Sequence, residues 1–223
     1  IVSCRDVHSQ AIFSLRGKPW NCFGKKRTEI YKNEELYNLM MALGTWAGQD
    51  LANNKHKVPT LVFGTSDPLS SGIIKSIEDS GYDHIMARID PFRYERQIRI
   101  FHDIIGFQKL GVAYENTITG RSYSAIDKLE IVAKERGFEI VNCYSKSDRV
   151  PLNVAEDSVK KCFNELVKKV DAIYLTIQGG VSPKSIPELV EIANSNRIPT
   201  FSQEGSSEVK MGVLMSVSMA GYK

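Results

Sequence analysis

From Asn38 onward, short apolar runs alternate with longer amphipathic ones, and that alternation constrains the fold more than any other feature of the chain. The runs at 39–45, 60–64, 84–89, 109–114, 138–144, 172–177, 200–202 and 213–218 are rich in Val, Ile, Leu and Phe, as strands covered on both faces must be. Between them, apolar residues recur every three or four positions. Over 122–136, Ile126, Leu129, Val132 and Ala133 share one helical face, and Gly137 ends the helix. Over 157–170, Val159, Cys162, Phe163, Leu166 and Val167 do the same, and 94–105 and 187–194 read as further helices. Strand, helix and strand at this spacing predict an α/β fold built on parallel sheets with right-handed crossovers.

With 223 residues the chain holds one large domain or two small ones. An internal echo favours two. Met41-Ala42-Leu43-Gly44-Thr45 leads through a helix to Val58-Pro59-Thr60-Leu61, and Ala172-Ile173-Tyr174-Leu175-Thr176 leads through a helix to Ile198-Pro199-Thr200-Phe201. Each second strand opens on a proline, where no ladder bond is lost, and runs into a polar loop. The predicted division is a first α/β lobe over 1–89, a second over 90–217, and a start of the return to the first over 218–223. The first 37 residues carry no clean periodicity and are short for the strand–helix–strand unit expected ahead of residue 38. Within them, Ile1-Val2-Ser3-Cys4 fits the end of a lipoprotein signal, but no charged and apolar stretch precedes it, so it reads as a first core strand.

Several function classes drop out. The net charge of +3 is spread over amphipathic segments, with no basic stripe interleaved with aromatics, so nucleic acid is not an expected partner. No apolar run approaches the ~20 residues that span a bilayer. The chain contains no GxSxG, HExxH or GxxxxGK[ST], and no GxGxxG follows a strand, so neither an enzyme nor a cofactor is expected. His102 and Asp103 sit beside Phe101 and Ile104 as surface residues of a helix rather than as an acid–base pair. Cys4, Cys22, Cys143 and Cys162 lack metal spacing, and no metal site is expected. They read as buried or idle thiols, with a disulfide open whose pairing the sequence does not give.

In open parallel sheets, ligands sit beyond the carboxyl ends of the strands. The loops there are rich in hydroxyls, amides and glycines: Thr45 and Trp46; Thr65, Ser66 and Asp67, with Ser70, Ser71 and Gly72 opening a helix; Asn116 and Thr117; Gln178 and Gly179; and Glu204. Free N–H groups at helix starts suit a carboxylate, and Asp67 and Glu204 suit an ammonium, so the set fits a zwitterion such as an amino acid. Trp46 or Tyr114 offers a wall for an apolar side chain. Each residue alone also reads as a helix cap or turn residue.

Ordered along the chain, the run from Val58 to Pro68 with Ser71-Gly72, the strand Leu110 to Tyr114 with Asn116 and Ser122, Ala133-Lys134-Glu135-Arg136-Gly137, Asp171-Ala172-Ile173-Tyr174, and Ile198-Pro199-Thr200-Phe201 through Glu204-Gly205-Ser206 and Lys210-Met211-Gly212 resemble the ABC-transporter substrate-binding family that includes tryptophan- and tyrosine-binding proteins. The resemblance implies a type I periplasmic-binding fold. Its two lobes would close on a small molecule, probing it with Thr45, Thr65, Ser66, Asp67, Asn116, Gln178 and Glu204. It also implies an amino acid ligand (aromatic or branched), a membrane permease as partner, a monomer, and a periplasmic or extracellular location with or without a lipid anchor. A ligand-sensing domain of a signalling or regulatory protein is the alternative. Gln178-Gly179-Gly180 and Tyr114-Glu115-Asn116 depart from the family pattern.

Overall fold

The apolar runs pair as parallel strands from Leu39 to Ser216. The computed structural model describes residues 11–15, 21–22, 37–65, 67–147 and 150–217. The predicted strand at Ile1 to Cys4 and the return segment 218–223 lie outside the described residues. The chain divides into two compact units, Ile1–Pro91 and Phe92–Lys223, each with its own sheet.

Unit 1 holds β1 (Ala11–Leu15), β2 (Asn21–Cys22), β3 (Leu39–Leu43), β4 (Thr60–Phe63) and β5 (Ile85–Ala87), in the spatial order β2-β1-β3-β4-β5. β3, β4 and β5 run parallel, with Met41 opposite Leu61 and Leu61 opposite Met86. β1 and β2 do not follow the parallel expectation. β1 pairs antiparallel to both β2 and β3, with Phe13 opposite Cys22 on one side and Met41 on the other. A connection of five residues allows only an antiparallel return, since a parallel one needs a crossover of a dozen or more. Helix α1 (Thr45–Leu51) covers one face of this sheet, packing Ala47 and Leu51 with Met40, Ala42, Val62, Ile73, Ile74 and Ile85. The helix expected to open at Ser70–Gly72 does not form. Residues 68–84 are turns and bends, since Gly72 and Gly81 adopt positive φ and the Asp79 carboxylate accepts from the Gly81 amide at 2.8 Å.

Unit 2 holds β6 (Lys109–Tyr114), β7 (Glu139–Tyr144), β8 (Ala172–Leu175), β9 (Thr200–Ser202) and β10 (Met215–Ser216), all parallel, in the order β10-β9-β8-β6-β7. Helices α2 (Arg93–Ile105) and α4 (Ile126–Arg136) supply Ile98, Phe101, Leu129 and Val132 to one face, against Leu110, Val112, Tyr174 and Phe201. Helices α5 (Leu152–Leu166) and α6 (Ile186–Ser195) supply Val159, Phe163, Leu166 and Leu189 to the other, against Ala113, Ile173 and Leu175. The helix predicted over 122–136 is split. A short α3 (Ile118–Tyr123) precedes α4, and the break falls at Ala125, whose φ of 51° interrupts the helical ladder. Gly137, at φ 74°, closes α4 as expected. Two of the thiols are not idle: Cys143 on β7 and Cys162 on α5 form a disulfide.

Candidate ligand-binding site

Because β3, β4 and β5 of unit 1 and all the strands of unit 2 are parallel, their carboxyl ends gather the connecting loops on one edge of each sheet. In unit 1 these are the loops after β3 and β4, held together where the Gly44 amide donates to the Phe63 carbonyl at 2.8 Å. Thr45 begins α1 and is buried, and its Oγ1 finds no hydrogen-bond partner; the Oγ1 of Thr65 is in the same state. Burying a hydroxyl without a partner costs about 1–3 kcal/mol, and both of these lie at this end of the sheet. Trp46 stands beside them, 36% exposed. Ser66 lies outside the described residues. Asp67 is nearly buried and serves its own loop: Oδ1 accepts from the amides of Leu69 (3.0 Å) and Ser70 (3.1 Å), and its carbonyl accepts from Ser71 Oγ at 2.6 Å.

In unit 2 the pattern differs residue by residue. Asn116 and Thr117 are exposed, and Thr117 caps α3 by accepting from the Gly120 amide at 3.0 Å. Gly120 is the residue this turn requires, because a Cβ there would collide with the Glu115 carbonyl. Gln178 is saturated: Nε2 donates to the Ala113 carbonyl (2.7 Å) and to Thr176 Oγ1 (3.0 Å), and Oε1 accepts from Ser145 Oγ (2.5 Å). The Gly179 amide donates to Ser147 Oγ at 2.7 Å, tying the Gln178 loop to the loop after β7. Glu204 is exposed, and its carbonyl accepts from Arg93 Nη2 at 3.3 Å. Tyr114 is sealed beneath Tyr144, ring centroids 5.5 Å apart, so the exposed wall is Tyr144. Burial first, then Tyr144, pushes the Tyr114 phenol up to about 12, and it stays protonated.

Residues not singled out as ligand contacts in the sequence position this edge. Fully buried Gln203 accepts from the Ile177 amide (2.9 Å) and donates to the Tyr123 carbonyl (2.7 Å), joining the loops after β6, β8 and β9. Gln97 of α2 donates to the carbonyls of Gln203 (3.2 Å) and Val217 (3.0 Å), and accepts from Tyr174 Oη (2.8 Å). It thereby fixes the Gln203 loop to the end of the described chain. Glu208, on the short α7 (Ser206–Val209), is only 4% exposed and its Oε2 has no hydrogen-bond partner. Burial raises its carboxyl to about 7; Ser202 opposes the shift and Glu204 adds to it. Its only trace in the sequence is an acid four residues after Glu204. Among the described residues no group of three or more His, Cys, Asp or Glu could hold a metal ion, and no helix is long and apolar enough to cross a membrane.

Two α/β units with parallel strands and polar loops at their carboxyl edges match the type I periplasmic-binding fold of the solved structures that the chain resembles. The model of the family described as ABC transporter substrate binding protein matches residues 27–223, and the chain belongs to that family. A tyrosine-binding protein of Clostridioides difficile (strain R20291) is 25% identical over 191 residues, which cover 83% of this chain and 52% of that protein. The ABC domain in complex with L-Trp from Streptococcus pneumonia superposes with a TM-score of 0.62 at 17% identity, covering 86% of this chain and 65% of that one. A ligand-free, open substrate-binding protein with adhesive properties from Clostridium difficile gives 0.57 at 22% identity, covering 82% and 58%. A stretch of 44 residues is 75% identical to part of a DNA topoisomerase 4 polypeptide of Borreliella burgdorferi, covering 20% of this chain and 7% of that protein. The chain thus spans about half of its long curated relative. The family and these solute-binding neighbours are binding proteins, not enzymes.

Proposed function

We propose that this chain belongs to the solute-binding component of an ABC import system and captures an amino acid with an aromatic or branched side chain. The observation that carries the reading is the carboxyl edge itself, where unpartnered hydroxyls (Thr45, Thr65) and the neighbouring carboxyl groups of Glu204 and Glu208 stand in a member of a binding-protein family. Thr45, Trp46, Thr65, Ser66 and Asp67 serve the ligand from unit 1. Asn116, Thr117, Gln178, Gly179 and Glu204 serve it from unit 2, with Gln178 acting through the loop it holds. Glu204 receives the ammonium group. The aromatic preference is supported by the relative named for tyrosine and the neighbour holding L-Trp. Delivery to a membrane permease, a monomeric state and a periplasmic or extracellular location, with or without a lipid anchor, complete the reading. The Cys143–Cys162 disulfide suits an oxidising compartment of that kind.

A thermal-shift screen against the twenty amino acids and a set of small carboxylates tests it. Ligand at 100 times its Kd adds roughly 2.7 kcal/mol of stability, a shift of several degrees. A response confined to tyrosine, tryptophan or the branched amino acids is expected. Silence toward every amino acid at millimolar concentration refutes the reading.

A further inference from the structure

We propose that Glu208 is a proton-releasing counter-charge behind Glu204: when the ammonium group of a ligand docks at Glu204, the buried Glu208 carboxyl gives its proton to solvent, and the pair then presents two negative charges to one cation. The proposal rests on the amino acid reading above and adds a role for a residue outside the expected ligand set.

The geometry carries it. Glu204 and Glu208 bracket the turn that leaves β9, the first exposed and the second buried. Ser202 Oγ accepts from the Gly205 amide at 2.9 Å and donates to the Gly205 carbonyl at 3.1 Å, fixing that turn. The Glu208 amide, bonded to the Gly205 carbonyl at 3.3 Å, closes the first turn of α7 over it. One Glu208 oxygen is left buried with no partner. A buried carboxylate oxygen is a strong acceptor, so an empty position beside it is costly unless the carboxyl is neutral or a donor arrives.

The one donor close by, the Ser202 hydroxyl, favours the ionised form but is outweighed by burial. The groups that face this carboxyl are Glu204 on the loop, Ser202 on β9 and Tyr174 on β8, and Tyr174 is in turn a neighbour of Arg93 and Tyr94 of α2. Arg93 spends its guanidinium on the Glu204 carbonyl and the Tyr94 ring. Among the described residues neither Glu204 nor Glu208 forms an ion pair. Two adjacent carboxyls without a cation cannot both ionise cheaply, so one keeps its proton, and burial selects Glu208. The carboxyl accordingly titrates near 7 rather than at its ordinary 4.5. In the unfolded chain it titrates at the ordinary value, so the folded unit binds the proton more tightly. The stability this contributes is full in acid and is lost as the pH rises through about 7. A ligand ammonium reverses that order. It favours the ionised form, expels the proton and gains the second charge.

The test is calorimetry on the full chain with L-tyrosine as the probe, at pH 8 and pH 6. If docking displaces one proton, Kd rises about tenfold over that interval. At pH 7, titrations in phosphate and in Tris, whose ionisation heats differ, report release of about half a proton. The glutamine variant Glu208→Gln is close in shape and is expected to bind with a flat pH profile. 3-(4-Hydroxyphenyl)propionate, which lacks the ammonium, is expected to release no proton. Tyrosine binding with a pH-independent Kd, or a slope that survives in Glu208→Gln, overturns the proposal and leaves the amino acid reading standing. Should Glu208→Gln fail to fold, the proton count of the unaltered chain decides alone. Absence of tyrosine binding at both pH values removes the amino acid reading and this proposal together.

Discussion

The two sheets use similar strand sequences to different ends. In unit 2, β8 (AIYL) and β9 (TFS) are buried at every residue and β6 at five of six, because helices cover both faces. In unit 1, β3 (LMMAL) and β4 (TLVF) alternate between buried and half-buried positions, the pattern of a sheet covered on one face. Apolar strands therefore announce a sheet but not how many of its faces are covered; only the supply of helices decides that. The same contrast holds at the carboxyl edges. Unit 1 leaves the Thr45 and Thr65 hydroxyls without partners after β3 and β4, whereas unit 2 ties its loops together through Gln178 and Gln203 and buries the Glu208 carboxyl.

The contrast is sharpest in the core. Phe101 is fully buried, with ring centroids 5.1 Å from both Phe107 and Phe201. Phe101→Ala should cost about 3–5 kcal/mol, and hydrogen exchange followed by mass spectrometry should show the loss in unit 2 alone. Loss of protection across both units would break the separation drawn here. The disulfide comes next. It ties the edge strand β7 to α5 across a separation of 19 residues, a loop whose closure is worth about 3 kcal/mol. Reduction should lower the stability of unit 2 to denaturant by that amount and leave the exchange of unit 1 unchanged.

How much of this was written in the sequence can be judged from particular residues. β6 and β9 appear at the residues predicted, because both are apolar runs bounded by polar turns. The antiparallel β1 and β2 were illegible, since they lie where no periodicity exists and were set by pairing, β1 with β3 and β2 with β1. The helix break at Ala125 is tertiary: nothing in Ser124-Ala125-Ile126 marks a stop, and Tyr123 offers its carbonyl to Gln203, 80 residues away. The site divides in the same manner. Loop composition pointed to Thr45, Asp67, Asn116 and Glu204, but could not show that Gln178 is consumed in holding its loop or that Glu208 is buried without a partner. Both depend on neighbours brought in from other strands.

Asp67 tests the open edge of unit 1. One of its oxygens caps two amides, so Asp67→Ala should cost about 1 kcal/mol of stability in unit 1. If the carboxylate also serves the ligand, affinity for the amino acid found by screening should fall at least tenfold. Calorimetry on the folded variant separates the two effects, because lost stability does not by itself change Kd in a chain that remains folded. Unchanged affinity would assign Asp67 to the turn alone and leave the ammonium to unit 2.

The smallest effect is expected on the open face of the first sheet. Met86 is 68% exposed on β5, opposite Leu61 in the register, and points away from the cluster formed with α1. A surface substitution away from caps and cores changes stability by no more than about 0.5 kcal/mol. Met86→Lys should therefore leave the melting temperature within a degree or two, with Ile85→Lys on the covered face as the contrasting variant that unfolds unit 1. The comparison between the sheets depends on this result more than on the larger ones. A cost well above that surface range for Met86→Lys would mean that Met86 packs against this face, and the alternating burial of β3 and β4 would then not mark a face with fewer helices among the described residues.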